Sequence, residues 1–171
     1  MTESNRPKLF AELTAFRDGF RSLELATGNA ETPLISYAPY VPDGSGGFCI
    51  YISQLAAHTG QLQASGSCSV MLIEAEQDAE QVFARKRLIY SCQAQTIERG
   101  TDEWQRIMAD FHARFGEFID MIIPLADFVL FRLTPTGGSY VRGFAQAYQL
   151  SGEDLEQLAH INPSKDKGES T

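Results

Sequence analysis

The sequence lacks an excess of positive charge: 22 acidic side chains stand against 14 Lys and Arg, for a formal net charge of −8. A general nucleic-acid binder needs a basic footprint for phosphates, so no nucleic-acid partner is expected. A local basic cluster can still hold a small anion. No apolar run approaches the length of a membrane-spanning helix, and the opening MTESNRPKLF lacks the charged-then-apolar layout of a secretory signal. No membrane partner is expected either. Cysteine is scarce: Cys49, Cys68 and Cys92 lie far apart in apolar stretches with no C-x-x-C pair. No structural zinc site can be built from such a set, which reads as reduced core thiols in a cytoplasmic protein. P-loop, dinucleotide fingerprint, nucleophile elbow and H-E-x-x-H are all missing, so no short catalytic motif declares an activity.

At 171 residues the chain has the length of one domain. We expect that domain over residues 1–160, with an N-terminal helix, a short C-terminal helix, and a flexible tail over 161–171. Leu9, Phe10, Leu13, Phe16 and Phe20 recur at helical spacing behind Pro7. RSLELAT, LISYAPYV, FCIYIS, CSVMLIEAE and RKRLIYSCQAQTIER read as strands, with PDGSGG a hairpin signal between the second and third. QLAAHTGQLQAS is poor in β-branched residues and reads as a short helix. Thr101 can cap a helix whose stripe is Trp104, Ile107, Met108, Phe111 and Phe115. ADFVLFRLTP and SYVRGFAQAYQL then supply two more strands about a TGG turn. Ser151 and Asp154 suit a capping box for a final helix, on which His160 would point away from Leu155, Leu158 and Ala159. The fold class is therefore mainly β with flanking helices, of the β-barrel type.

Four groups of residues are candidates for chemistry. FARKRL places Arg85, Lys86 and Arg87 at a strand start, where alternation sends Arg85 and Arg87 to one side and Lys86 to the other. A solvated strand end is the default for such a triplet; an anion clamp is the alternative, since guanidinium forks match phosphate and carboxylate geometry. Ser53, His58 and Thr59 sit at a strand-to-helix junction, where hydroxyls and amides can satisfy phosphate oxygens. Asp127 leads into an apolar strand and can cap a turn or orient an imidazole. His160 is either exposed or turned towards another chain or a ligand. His112 lies off its helix's apolar stripe and reads as surface.

Taken in order, LELAT…LISYAPYV, YISQLAAHTGQL, VMLIEAE, FARKRL, RFGEFID, ADFVLFRLTP and VRGFAQAYQLSGEDL resemble the HugZ/HutZ-type haem-utilisation proteins. These belong to the pyridoxamine-phosphate-oxidase-like, FMN-binding split-barrel superfamily, and the resemblance covers roughly residues 10–160. It implies a six-stranded antiparallel split β-barrel that forms a homodimer, with two equivalent sites at the subunit interface. It also implies haem or FMN as the cofactor or substrate. By position Ile35, Ser36, Tyr37, Ile52, Ser53, His58, Thr59 and Arg85 match segments lining the flavin site, with Lys86 and Arg87 beside them. In the haem branch a C-terminal histidine ligates iron, supported by an aspartate of the partner chain that Asp127 matches. The family's histidine lies a few residues beyond His160, about where this chain has Lys165, and no histidine follows His160. His160 is thus the C-terminal candidate for haem iron, with His58 a further candidate for ligation or support. The readings left open are a haem-binding or haem-degrading protein, an FMN-dependent oxidoreductase, and a non-catalytic carrier of either group.

Overall fold

The computed structural model describes residues 6–28, 31–152 and 155–161. Its elements run α1 (Arg6–Asp18), β1 (Ser22–Thr27), β2 (Leu34–Pro42), β3 (Phe48–Ser53), α2 (Ala57–Ser65), β4 (Ser67–Ile73), β5 (Arg87–Ile97), α3 (Asp102–Phe115), α4 (Phe118–Ile122), β6 (Phe128–Gly143), β7 (Gln146–Ser151) and β8 (Gln157–His160). All strand pairings are antiparallel. The order β3-β2-β1-β4-β5-β6, closed by pairing of β3 with β6, makes the expected six-stranded barrel. β7 and β8 continue outward from the second half of β6 as an extra hairpin. Closure removes the unpaired edges that an open six-stranded sheet would expose.

The two faces of β3 explain its unbroken apolar run. Phe48, Ile50 and Ile52 fill the barrel with Leu23, Leu25, Tyr40, Val70, Leu88, Phe131 and Tyr140. Cys49 and Tyr51 face outward and are covered by Ile107, Met108 and Phe111 of α3 and Ile119 of α4. A strand buried on both sides reads as continuous hydrophobicity rather than alternation. α3 starts as its sequence requires, with Thr101 Oγ1 accepting from Trp104 N at 3.2 Å. α1 inserts Leu9 and Leu13 against the barrel core, and Tyr40 Oη donates to Arg17 O at 2.8 Å beneath it. In the loop joining β2 to β3, Asp43 Oδ1 accepts from the amides of Ser45 and Gly47, both at 2.8 Å.

Two sequence readings are corrected. The TGG segment is no turn: β6 runs through it without a break, and chain reversal occurs at residues 143–146, where Ala145 has φ 56°. Gly138 is needed inside the strand because a Cβ there would lie 2.4 Å from Ile89 O and 2.8 Å from the Tyr90 ring. An interior glycine in a strand marks such a close approach. The pairing of β5 with β6 shifts register between Ser91 and Cys92, which accommodates the extra residue, Thr136.

The short C-terminal helix is the second correction. Ser151 belongs to β7, Gly152 has φ 91° and Leu155 has φ 55°, so neither lies in the right-handed helical region. The chain turns there and returns as β8 against β7, with Leu150 opposite Leu158 and Tyr148 opposite His160. Leu155 and Leu158 are buried as their three-residue spacing demanded, but the edge of β7 offers backbone partners that one isolated helical turn lacks. Asp154 of the expected capping box and the tail beyond residue 161 lie outside the described residues. Among the described residues no helix is long and apolar enough to cross a membrane.

Candidate functional site

Folding gathers five of the candidate residues around the start of α2. Ser53 ends β3 and its Oγ donates to Asp127 Oδ2 at 2.6 Å, while also accepting from Leu55 N at 3.1 Å. Asp127 is brought there because β6 begins beside the end of β3, Phe128 opposite Ser53, and Gln54 N donates to Asp127 O at 2.7 Å. Thr59 is fully buried and its Oγ1 donates to Ser53 O at 2.6 Å, tying α2 back to β3. One turn away on the inner side of β2, Ser36 Oγ lies 2.9 Å from His58 Nδ1. The other imidazole nitrogen, His58 Nε2, is buried with no hydrogen-bond partner among the described residues. Burial holds the His58 pKa below its ordinary value, which favours the neutral ring.

Alternation along β2 separates the residues grouped by sequence. Ser36 shares the inward side with Ala38 and Tyr40, whereas Ile35 is 80% exposed and Tyr37 70%. Leu55, just before α2, is 91% exposed. Ile52 points into the barrel core. The polar cluster is therefore bordered by large apolar side chains that are left exposed among the described residues.

The basic triplet sits elsewhere and is turned onto its own chain. Arg85 donates to Glu74 O through both Nε and a terminal nitrogen, and a third nitrogen reaches Glu76 Oε1 at 3.3 Å. Arg87 donates to Arg85 O at 3.1 Å, and the Lys86 ammonium lies 5.8 Å from the Phe16 ring. Lys86 borders an open cleft of about 690 Å³ with Arg142, but Glu74, Asp78 and Glu80 line it too. Three carboxylates beside two cations make a poor seat for an anion.

His160 stands apart from both groups. Strand alternation puts it on the side of Leu158, not opposite as a helix would have it, and its ring packs edge-on against Tyr148 at 5.4 Å. It is nevertheless exposed, because β8 is the outer strand of the hairpin. His160 Nε2 lies 3.0 Å from Ala145 O. A carbonyl only accepts, so Nε2 carries a proton there, and Nδ1 has no hydrogen-bond partner among the described residues. His160 and Asp127 lie towards opposite ends of β6: Asp127 precedes Phe128, whereas Tyr148, the partner of His160, pairs with Tyr140. Those twelve residues span roughly 40 Å of strand.

Arg99 was not singled out from sequence. Its guanidinium donates to Ile123 O at 2.6 Å, to Tyr51 Oη and Leu125 O at 2.8 Å, and to Phe128 O at 3.2 Å. It also stacks 5.4 Å from the Trp104 ring. It thereby pins the loop that carries Asp127. Its only trace in the sequence is a cation at the end of an apolar strand.

No protein-family model matches the chain. The haem oxygenase HutZ of Vibrio cholerae is 43% identical over 155 residues, covering 90% of this chain and 88% of that protein. The crystal structure of Vibrio cholerae HutZ, described there as a haem storage protein, superposes with a TM-score of 0.68 at 41% identity, covering 73% of this chain and 88% of the other. Campylobacter jejuni ChuZ gives a TM-score of 0.81 at 32% identity, covering 96% of this chain and 67% of ChuZ. A Clostridium acetobutylicum protein of the pyridoxine-phosphate oxidase family shares the fold at 12% identity, with a TM-score of 0.61 over 86% of this chain and 97% of the other. The chain belongs to the HutZ-type haem-utilisation family, built on the pyridoxamine-phosphate-oxidase-like split barrel.

Proposed function

We propose that this chain binds haem between two copies of itself, with His160 of one copy ligating the iron and Asp127 of the other supporting it. The observation that carries the reading is the state of His160: it is exposed, and its Nε2 is engaged by a backbone carbonyl. Nδ1 then serves as the donor atom, and the Nε2–H that Ala145 O holds in the single chain is the one that the Asp127 carboxylate of the second copy would share or take over, the arrangement that orients a ligating imidazole. The residues therefore fit the group. His160 and Asp127 lie towards opposite ends of β6, so they are taken from different copies, as a two-fold pair of chains would allow. Exposed Ile35, Tyr37 and Leu55 supply apolar surface suited to such a contact. When bound, haem would supply redox-active iron chemistry. The chain's own residues hold and orient it: Ser53 fixes the Asp127 carboxylate, and Arg99 fixes the loop that carries it.

The relative is named as an oxygenase in one description and as a storage protein in another, so turnover is a separate question from binding. The FMN reading has less support. Arg85 is engaged by Glu74 and Glu76, and the Thr59 hydroxyl by Ser53, which leaves neither free for a phosphate.

The test is an absorption titration of the purified protein with haem and, separately, with FMN. We expect a Soret band at one haem per chain, shifted or lost in His160→Ala, and a dimer by light scattering. A monomer, or a Soret band unchanged by His160→Ala, refutes the ligation proposed. Decay of the band when reductant and oxygen are supplied marks a degrading enzyme; persistence marks a carrier. Saturable FMN binding weakened by Arg85→Ala would replace the haem reading with the flavin one.

A further inference from the structure

Two of the three cysteines, 24 positions apart in sequence, are brought opposite one another: Cys68 of β4 pairs in register with Cys92 of β5. Directly opposed residues of an antiparallel pair send their side chains to the same face. Ala94 N donates to Gly66 O at 2.9 Å, and the ladder repeats every two residues, so Cys68 and Cys92 also form a hydrogen-bonded pair. Such pairs have a Cα separation of about 5.5 Å, inside the window of about 4.4–6.8 Å that a disulfide spans.

Their surroundings differ in a way that assigns roles. Cys92 is 3% exposed and belongs to the barrel core, whereas Cys68 is only partly buried at its margin. Both are among the residues around an open depression of about 510 Å³, with Ser67, Ser69, Ser91 and Thr136, and of the two thiols Cys68 is the one that is only partly buried there. Cys49 faces away, fully buried under α3.

We propose that Cys68 and Cys92 are a reversible dithiol–disulfide couple oxidised by hydroperoxides, with Cys68 the attacking thiol and Cys92 the resolving one. The Cys68 thiolate attacks the peroxide oxygen, the O–O bond breaks, and an alcohol or water leaves with the proton, giving a Cys68 sulfenic acid. The Cys92 thiol then displaces that hydroxyl as water and the S–S bond forms. In sum two thiols and one hydroperoxide give one disulfide, one alcohol or water, and one water. Cys92 beside it pulls the Cys68 thiol below its ordinary pKa, while Cys68 and burial push Cys92 up; the roles themselves follow from the greater exposure of Cys68. A transient disulfide of this kind is compatible with a reducing compartment. The couple is independent of whether the chain binds haem.

The experiment treats the full chain, free of haem, with hydrogen peroxide, then alkylates it under denaturing conditions and maps the peptides by mass. We expect accessible thiols to fall from three to one, the intact mass to drop by two hydrogens, a Cys68–Cys92 peptide pair, and full recovery with dithiothreitol. Cys92→Ser should accumulate a Cys68 sulfenic acid trapped by dimedone, and Cys68→Ser should leave Cys92 unoxidised. Three retained thiols, a linkage through Cys49 or between chains, or over-oxidation without a disulfide in the unmutated protein each overturn the proposal.

Discussion

Replacing Arg99 by Met removes four hydrogen bonds and a ring contact at one stroke, with little change of side-chain length. Hydrogen bonds from a charged donor are worth up to about 3 kcal/mol when desolvated. Arg99 is exposed, however, and the freed carbonyls of Ile123, Leu125 and Phe128 can turn to water, so about 0.5–1 kcal/mol each is the better figure. The exposed contact with Trp104 adds about 0.5–1 kcal/mol. Release of the ordered side chain returns up to about 2 kcal/mol of rotamer entropy. The net loss is about 2 kcal/mol, which for a chain of this size lowers Tm by about 4–8 °C. Arg99→Lys keeps the charge but not the fork, and should recover less than half of the loss. Differential scanning calorimetry reads the shift, and hydrogen exchange across residues 122–128 should quicken in the same variant. A Tm within about 1 °C of the parent, with unchanged exchange in that loop, would refute the view that Arg99 holds the segment bearing Asp127.

Further outcomes follow from the same geometry. His58 is held below its ordinary pKa of 6.5 by burial, so the unfolded chain binds the extra proton first as pH falls. Stability should therefore be lost as pH drops from about 6.5 through the folded value, and His58→Gln should flatten that part of a Tm–pH curve; an NMR titration placing His58 at or above 6.5 would contradict it. Gly138→Ala forces a methyl against Ile89 O and the Tyr90 ring, and should cost about 1–3 kcal/mol in a urea melt. An Ala variant as stable as the parent would mean that the β5–β6 approach is not fixed by that glycine.

Much of the barrel was legible in the chain because local chemistry and tertiary packing agree there. The stripe of Trp104, Ile107, Met108 and Phe111 behind Thr101 specifies α3 wherever it packs. FCIYIS had to be buried on both faces, although the sequence could not say that α3 and α4 supply the outer cover. The candidate site was legible only in part. Ser53, His58 and Thr59 are neighbours in sequence, so their convergence was expected; the arrival of Asp127 depends on β3 pairing with β6. Arg85 could be read as a cation but not as one engaged by its own loop, since Glu74 and Glu76 approach it only after the chain doubles back.

What the sequence by itself determined is what side-chain period, charge and turn chemistry carry: the elements up to β5, α3, a mainly β fold, an acidic surface and a family resemblance. What only the tertiary structure decided is where unlike segments meet. Gly138 reads as a turn residue until Ile89 O is placed against it. The segment after Ser151 reads as a helix until β7 offers an edge with which to pair. Cys68 and Cys92 read as unrelated until register sets them opposite. In each case the deciding interaction is backbone pairing between distant residues, and a local pattern carries no information about its partner.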